Sequence, residues 1–224
     1  MSIVLLLIAG LIGYLCGAIP FGYIYVKLKT GEDIRNVGSG RTGGTNSLRA
    51  AGTAVGVLTG FSDVFKGALG VMLTRLFLGS SASAELMPWL VITSGVLSVI
   101  GHNWSVFMGW KGGAGTGPNV GWGTAVWWPM LPIGVLLMIV MLLTVGMASV
   151  ASMSMALVIV VAFTILYALG IVPYDATFAY IIGGLISGLI VLWALRPNIS
   201  RLMNGTERVV GPRARRMAKR QAAE

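Results

Sequence analysis

Seven apolar stretches divide the chain, and nothing in it constrains the fold more. They cover residues 3–26, 54–79, 88–101, 116–128, 130–147, 150–170 and 177–195. Crossing about 30 Å of hydrocarbon takes roughly 20 apolar residues in a helix. Only 10% of the 224 residues are charged, where a soluble domain has about 25%. So few charges cannot cover a water-facing surface, which excludes a soluble enzyme, and the apolar content excludes disorder. With one Cys and one His, neither a disulfide framework nor a zinc site of several Cys and His can be built. What remains is an all-α integral membrane protein with seven transmembrane helices. The first stretch lacks the basic start of a cleaved signal peptide and runs past any cleavage site, so it reads as a span.

The net charge of +9 is distributed unevenly. Lys27, Lys29, Arg35, Arg41 and Arg49 follow the first stretch. Arg196, Arg201, Arg208, Arg213, Arg215, Arg216, Lys219 and Arg220 follow the last. The loops at 80–87, 128–130 and 170–176 carry no Lys or Arg. Cytoplasmic loops collect basic residues, so the pattern predicts an N-terminus outside and a C-terminus in the cytoplasm. Topology accounts for these charges without nucleic acid. The tail 209–224 is expected to meet anionic membrane lipids, leaving 1–208 as one membrane domain. Pro129 separates the fourth stretch from the fifth, and a turn is expected at 170–175.

Two features exceed what an ordinary span needs. Asp63 and Lys66 lie inside the second stretch, where ionisable groups are costly unless they face protein or water. Three residues apart, they can pair on one helix face. Gly56, Gly60, Asp63, Gly67, Gly70 and Thr74 continue that face as a stripe of small and polar residues. The stripe fits either a structural ion pair between packed helices or the lining of a polar cavity open to the cytoplasm.

The second feature is a set of glycine-rich loops. Residues 38–49 contain Gly38, Ser39, Gly40, Arg41, Gly43, Gly44, Thr45, Asn46 and Arg49. The segment formally matches G-x-G-x-x-G, but no strand precedes it, and Gly44 occupies the lysine position of a P-loop. What survives is the shared physics: glycines let successive N–H groups converge on an anion, Thr45 or Asn46 can cap a following helix, and Arg41 and Arg49 add forked donors. Residues 101–117 carry His102, then Lys111 beside Gly112, Gly113 and Gly115. Ser149 and Ser152 form a third polar segment, and Asn198, Arg201 and Glu207 belong to a fourth. All four fall on the predicted cytoplasmic side. By physics alone, such a chain handles a phosphorylated small molecule or lipid head group.

In this order the segments resemble the bacterial acyl-phosphate:glycerol-3-phosphate acyltransferase family (PlsY). Its first motif, approximately G-S-G-N-x-G-A-T-N-x-x-R, corresponds to GSGRTGGTNSLR at 38–49. A D-x-x-K-G follows at 63–67. The second motif, G-H-x-x-P-x-F-x-x-F-K-G-G-K-G-V-A-T, corresponds to GHNWSVFMGWKGGAGTGP at 101–118, and S-L-A-S to 149–152. The C-terminal H-R-x-N-I-x-R-L-x-x-G-x-E corresponds to LRPNISRLMNGTE at 195–207.

The resemblance implies seven spans, a bacterial inner (plasma) membrane location, and no cofactor or metal. It implies acyl transfer from acyl phosphate to the 1-hydroxyl of glycerol 3-phosphate, giving lysophosphatidate and phosphate. Ser39, Arg49, Lys66, His102 and Asn198 are the catalytic positions it marks. The substrate-binding positions are Gly38, Gly40, Arg41, Gly43, Gly44, Thr45, Asn46, Lys111, Gly112, Gly113, Gly115, Ser149, Ser152, Arg201 and Glu207. The chain departs from the pattern at Arg41 (Asn in the family), Ser105 (Pro), Ala114 (Lys) and Leu195 (His). The alternative reading is a catalytically impaired paralogue that binds a phosphorylated lipid precursor or a partner. A small transporter is disfavoured by the absence of internal repeats.

Overall fold

The computed structural model describes residues 2–171, 178–211, 213, 214 and 216, and among these the regular structure is entirely helical. The helices are α1 (Ser2–Ala18), α2 (Phe21–Thr30), α3 (Gly44–Ala51), α4 (Thr53–Leu78), α5 (Met87–Asn103), α6 (Thr116–Val126), α7 (Met130–Thr144), α8 (Ala148–Ala168), α9 (Phe178–Ala194) and α10 (Arg196–Met203). Single 3-10 turns occupy Ile34–Asn36 and Val106–Met108. The turn expected at 170–175 lies outside the described residues beyond Ile171, as do Arg215, Lys219 and Arg220 of the tail.

Four segments are long and apolar enough to cross a membrane: Ser2–Thr30, Thr53–Leu78, Met87–Met108 and Ala148–Ala168. A fifth is α9 with α10, if the 63° bend between them is counted within one span. The stretches at 116–128 and 130–147 form shorter helices, of 11 and 15 residues. At 1.5 Å per residue α6 rises about 16 Å, half a bilayer. The physical reason lies between them: Trp127 turns extended, and Pro129 brings no N–H to a continuing ladder. Pro20 likewise splits the first stretch into α1 and α2.

Glycines set how closely the helices approach. α1 and α5 run parallel, and a Cβ on Gly13 or Gly17 would fall 2.0 Å from the carbonyl oxygen of Ser94 or Ser98. Helices in lipid gain little from hydrophobic burial against one another, so such close van der Waals contact is what holds them. α6 runs parallel to the second half of α4. Gly67 packs on Pro118, Gly121 on Val64, and Arg75 donates to the Ala125 carbonyl at 2.7 Å. The α4 stripe is therefore a packing surface. Gly56 abuts Gly44 and Leu48, Gly70 abuts Gly13 and Ser94, and Asp63 is buried. Gly60 is the exception within it, with open space where a Cβ would stand.

The remaining core is aromatic. Trp122 of α6 stacks on Phe163 of α8 at 5.4 Å, and Phe163 meets Tyr180 of α9 at 5.7 Å. Trp122 Nε1 donates to Asn119 Oδ1 within α6 at 2.8 Å. Leu7, Leu11, Phe61, Phe65, Leu136, Leu157 and Leu189 stay exposed on the outer face. So large an apolar surface is stable against lipid, not water.

Candidate active site

The glycine-rich loop is shaped by one buried amide. Asn46, in the first turn of α3, accepts from the Ser39 N–H at 3.0 Å. Its Nδ2 donates to the carbonyls of Ile34, Val37 and Arg41 at 3.2, 2.9 and 2.9 Å. With all four bonds made to backbone, Asn46 builds the loop and has no polar atom left for a substrate. Nor does it cap α3: that helix starts at Gly44 with Gly43 as N-cap and no side-chain cap. The expected capping by Thr45 or Asn46 fails because both residues already lie inside the helix. Gly38 and Gly40 adopt φ of 54° and 71°. A Cβ on Gly38 would also lie 2.4 Å from Asn46 Oδ1, so only glycine fits there. Gly38, Ser39 and Arg49 are exposed.

Lys66 and His102 lie beneath this surface, 1% and 4% exposed. Lys66 Nζ sits 2.9 Å from Asp63 Oδ1 and donates to the Ile19 carbonyl at 2.8 Å, where α1 has just ended. His102 Nδ1 is 3.6 Å from the same Asp63 oxygen. A Cβ on Gly113 would fall 2.0 Å from His102 Nε2, and the Gly113 N–H donates to the His102 carbonyl at 3.0 Å. Neither side chain faces water. They tie α4, α5 and the turn after α1 to the Gly112–Gly115 segment. Beside them Ser105 donates to the Ala18 carbonyl at 2.6 Å.

The second loop exposes Lys111 and buries Gly113 and Gly115 against α5, with Gly115 the N-cap of α6 at φ 84°. No side chain caps α6, so its first N–H groups are available to an acceptor. The amide of Asn103 lies against Gly115, and both its polar atoms are buried without a hydrogen-bond partner. That residue was not singled out from sequence; an Asn in an apolar helix end gives no periodic signal.

The third and fourth segments form one network around Glu207. Its carboxylate accepts from Ser149 Oγ at 2.8 Å, Asn198 Nδ2 at 2.8 Å and Arg201 Nε at 2.9 Å. Burial pushes the Glu207 carboxyl up, but the bonds from Asn198, Ser149 and Arg201 outweigh it and hold it below its ordinary range. Through these bonds Glu207 holds α10 against α8. Ser152 donates back to the Ala148 carbonyl at 2.9 Å. Because Glu207 takes Nδ2, Asn198 is left with a buried, unpartnered Oδ1.

Arg41 joins the first and fourth segments. Its Nη2 donates to the Ala194 carbonyl at the end of α9 at 2.6 Å. Burial, and then the charge of Arg201, hold its guanidinium below the ordinary arginine value. Arg49 is lowered too, by burial and then by Arg208. Both arginines also feel Glu207. Next to this contact Leu195 is 1% exposed, and Leu195 and Ala114 belong to the same apolar cluster. The two positions that the family motif gives to a lysine and a histidine are thus apolar here, with the Arg41 guanidinium bonded next to Leu195.

The class follows: an all-helical integral membrane protein with several apolar helices and glycine-rich, basic loops gathered at one end of the bundle. A model of the glycerol-3-phosphate acyltransferase family matches residues 7–205. The chain belongs to that family. It is 36% identical over 210 residues to the glycerol-3-phosphate acyltransferase of Parasynechococcus marenigrum, covering 94% of this chain and 91% of that one. The Thermus thermophilus protein is also 36% identical over 210 residues, covering 91% and 94%. Crystal structures of PlsY, an integral membrane glycerol 3-phosphate acyltransferase, share the fold. Its glycerol 3-phosphate form superposes with a TM-score of 0.76 at 32% identity, covering 92% of this chain and 96% of that one. The lysophosphatidic acid form gives 0.74 at 30%, covering 92% and 95%.

Proposed function

We infer that this chain is a membrane acyltransferase of phospholipid synthesis that moves a fatty acyl group from acyl phosphate to the 1-hydroxyl of glycerol 3-phosphate. The observation that carries this reading is the contact of Arg41 with the end of α9. It brings the exposed anion-binding loop at 38–49 against the Asn198–Glu207 segment, at a corner rich in guanidinium groups. Family membership and the glycerol 3-phosphate and lysophosphatidic acid forms of PlsY support the same substrates.

Two anionic substrates need two phosphate subsites. Ser39, the loop N–H groups and Arg49 suit one. Lys111, the Gly112–Gly115 segment and the first turn of α6 suit the other, and Arg41 stands between them. The acyl group arrives already activated, so no side-chain nucleophile is required. The hydroxyl oxygen attacks the acyl carbon, the bond from that carbon to the phosphate oxygen breaks, and phosphate leaves. The hydroxyl proton passes to a phosphate oxygen, since His102 is sealed and Glu207 is occupied. Fixed N–H and guanidinium donors stabilise the developing charge.

The reading includes one membrane domain over 1–208, seven membrane segments of which α6 and α7 are short, the N-terminus outside, and a basic tail from 209 resting on anionic lipids of the bacterial inner membrane. Purified protein in proteoliposomes, given palmitoyl phosphate and glycerol 3-phosphate, should release phosphate and form lysophosphatidate in equal amounts. Folded protein that forms neither refutes the reading. For topology, Ser81→Cys and Asn204→Cys in a Cys16→Ala background should label from opposite sides of intact cells; labelling of both from outside refutes the orientation.

A further inference from the structure

We propose that Arg41 supplies the cation that holds a substrate phosphate at the end of α9, and that Arg41 and Leu195 are one exchange, a charge moved from position 195 onto the 38–49 loop. This rests on the acyl-phosphate reading above. The loop fixes the backbone of Arg41: its carbonyl accepts from Asn46 Nδ2 at 2.9 Å, and its N–H donates to Ser39 Oγ at 3.4 Å. The side chain then leaves the loop, and Nη2 donates to the Ala194 carbonyl at 2.6 Å. Ala194 is the last residue of α9. The guanidinium therefore stands where a helix presents unpaired carbonyls and the negative end of its dipole, which favour a cation. A guanidinium has five N–H donors, and this bond takes one. The others keep the planar fork that matches two phosphate oxygens.

The missing counter-ion selects the ligand. Arg41 is half-buried, and among the described residues it makes no ion pair. A charge withdrawn from water needs a partner. Glu207 is already bonded to Ser149, Asn198 and Arg201, so the partner comes from outside the chain, and a phosphate fits the fork. Leu195 completes the argument. It follows Ala194 directly, is 1% exposed and belongs to the apolar cluster with Val191. A basic side chain buried there would lose its hydration and stand beside a guanidinium, and both effects oppose its charge. A cation at 41 thus goes with an apolar residue at 195. The family motif has the opposite arrangement, an uncharged Asn and then a His. The exchange has a chemical consequence: an imidazole titrates near neutrality and a guanidinium does not. The charges acting on Arg41 are Arg201, Glu207, Arg196 and Arg208, and Arg41 in turn acts on His102. Of these only His ordinarily titrates near neutrality, and His102 is common to every variant below.

The test is a pH profile in proteoliposomes with palmitoyl phosphate and glycerol 3-phosphate. Each rate is taken relative to wild type at the same pH, so that titration of the phosphates cancels. Arg41→Asn should lower kcat/KM about tenfold to a hundredfold, as loss of one charge-assisted hydrogen bond does, with the melting temperature unchanged. Arg41→Asn with Leu195→His should regain most of that at about pH 6 and lose it again by about pH 8, since an ordinary imidazole is charged only below about 6.5. Position 195 is buried, so the double variant can fail to fold, and inorganic phosphate then decides. Its Kd, read from the rise of melting temperature with phosphate concentration, should weaken about tenfold in Arg41→Gln and by less in Arg41→Lys. A folded Arg41→Asn with wild-type kcat/KM, or Arg41→Gln with the wild-type phosphate Kd, overturns the role of Arg41 and leaves the acyl-transfer reading standing. A folded double variant no faster than Arg41→Asn at either pH overturns the exchange with Leu195. Wild type that forms no lysophosphatidate, while Arg41→Gln still weakens phosphate, overturns the acyl-transfer reading and leaves Arg41 as an anion site.

Discussion

Replacing Asn46 with Ala tests whether one buried amide sets the shape of the 38–49 loop, proposed above to bind phosphate. The change deletes the acceptor of the Ser39 N–H and the donors to Ile34, Val37 and Arg41. A net hydrogen bond contributes about 0.5–1.5 kcal/mol; the two Nδ2 hydrogens shared among three carbonyls, with the Oδ1 bond, amount to three such bonds, about 1.5–4.5 together. Two considerations favour the lower half of that range. Ser39 is exposed, so water can replace its lost partner, and the buried Ile34 carbonyl keeps its bond from the Val37 N–H at 3.1 Å. A loss of about 1.5–3 kcal/mol remains. It falls on the loop rather than on the bundle, because α3 still packs on α4 through Gly44 and Gly56. At 1.4 kcal/mol per tenfold, opening the loop should raise KM for glycerol 3-phosphate about tenfold or more, with little change in melting temperature. Asn46→Asp should be no better: it keeps the acceptor but sets a negative charge against three carbonyl oxygens. The assay is initial-rate kinetics in proteoliposomes, with melting followed in parallel. A folded Asn46→Ala variant whose KM stays within twofold of wild type refutes the reasoning.

Three further outcomes are expected. Gly17→Ala drives a methyl into the Ser98 backbone and should destabilise the α1–α5 contact by about 1–3 kcal/mol; an unchanged melting temperature in detergent would show that the helices are not in contact there. Lys66→Met leaves Asp63 as an uncompensated buried charge and should cost about 3–5 kcal/mol, whereas Asp63→Asn with Lys66→Met should regain much of it; a stable double variant without turnover would return Lys66 to the catalytic set. The lowered Glu207 carboxyl contributes stability that is present above its unfolded-state value and is lost as pH falls through its folded value, so turnover should fall on the acid side together with the docking of α10, and Glu207→Gln should flatten that limb; an identical acid limb in the variant would assign it to another group.

The membrane class was legible without coordinates, because spanning lipid demands long apolar helices and few charges. The four glycine-rich and polar segments were legible too, since anion binding needs glycines, hydroxyls and arginines at close spacing. The role of each residue within them was not. Asn46, Lys66, His102 and Glu207 carry the polar groups expected at a phosphate site. Whether such a group meets a ligand or a backbone carbonyl depends on which atoms surround it, and residues far apart in sequence decide that. Arg41 and Leu195 read in the sequence as two separate departures from the motif, and only their meeting at the end of α9 joins them.

By itself the sequence determined the solvent. Its apolar stretches and scarce charges commit the chain to a bilayer. The commitment to a bilayer is local, set by composition and spacing within a few helical turns. Tertiary structure decided which stretches become full-length helices and which stop halfway, as α6 does before Trp127 and Pro129. It also decided that the α4 stripe packs on other helices, and that Arg41 reaches Ala194, 153 residues away. The physical reason is that burial and hydrogen-bond partnership depend on all the elements that converge at a point, and no single segment carries that information.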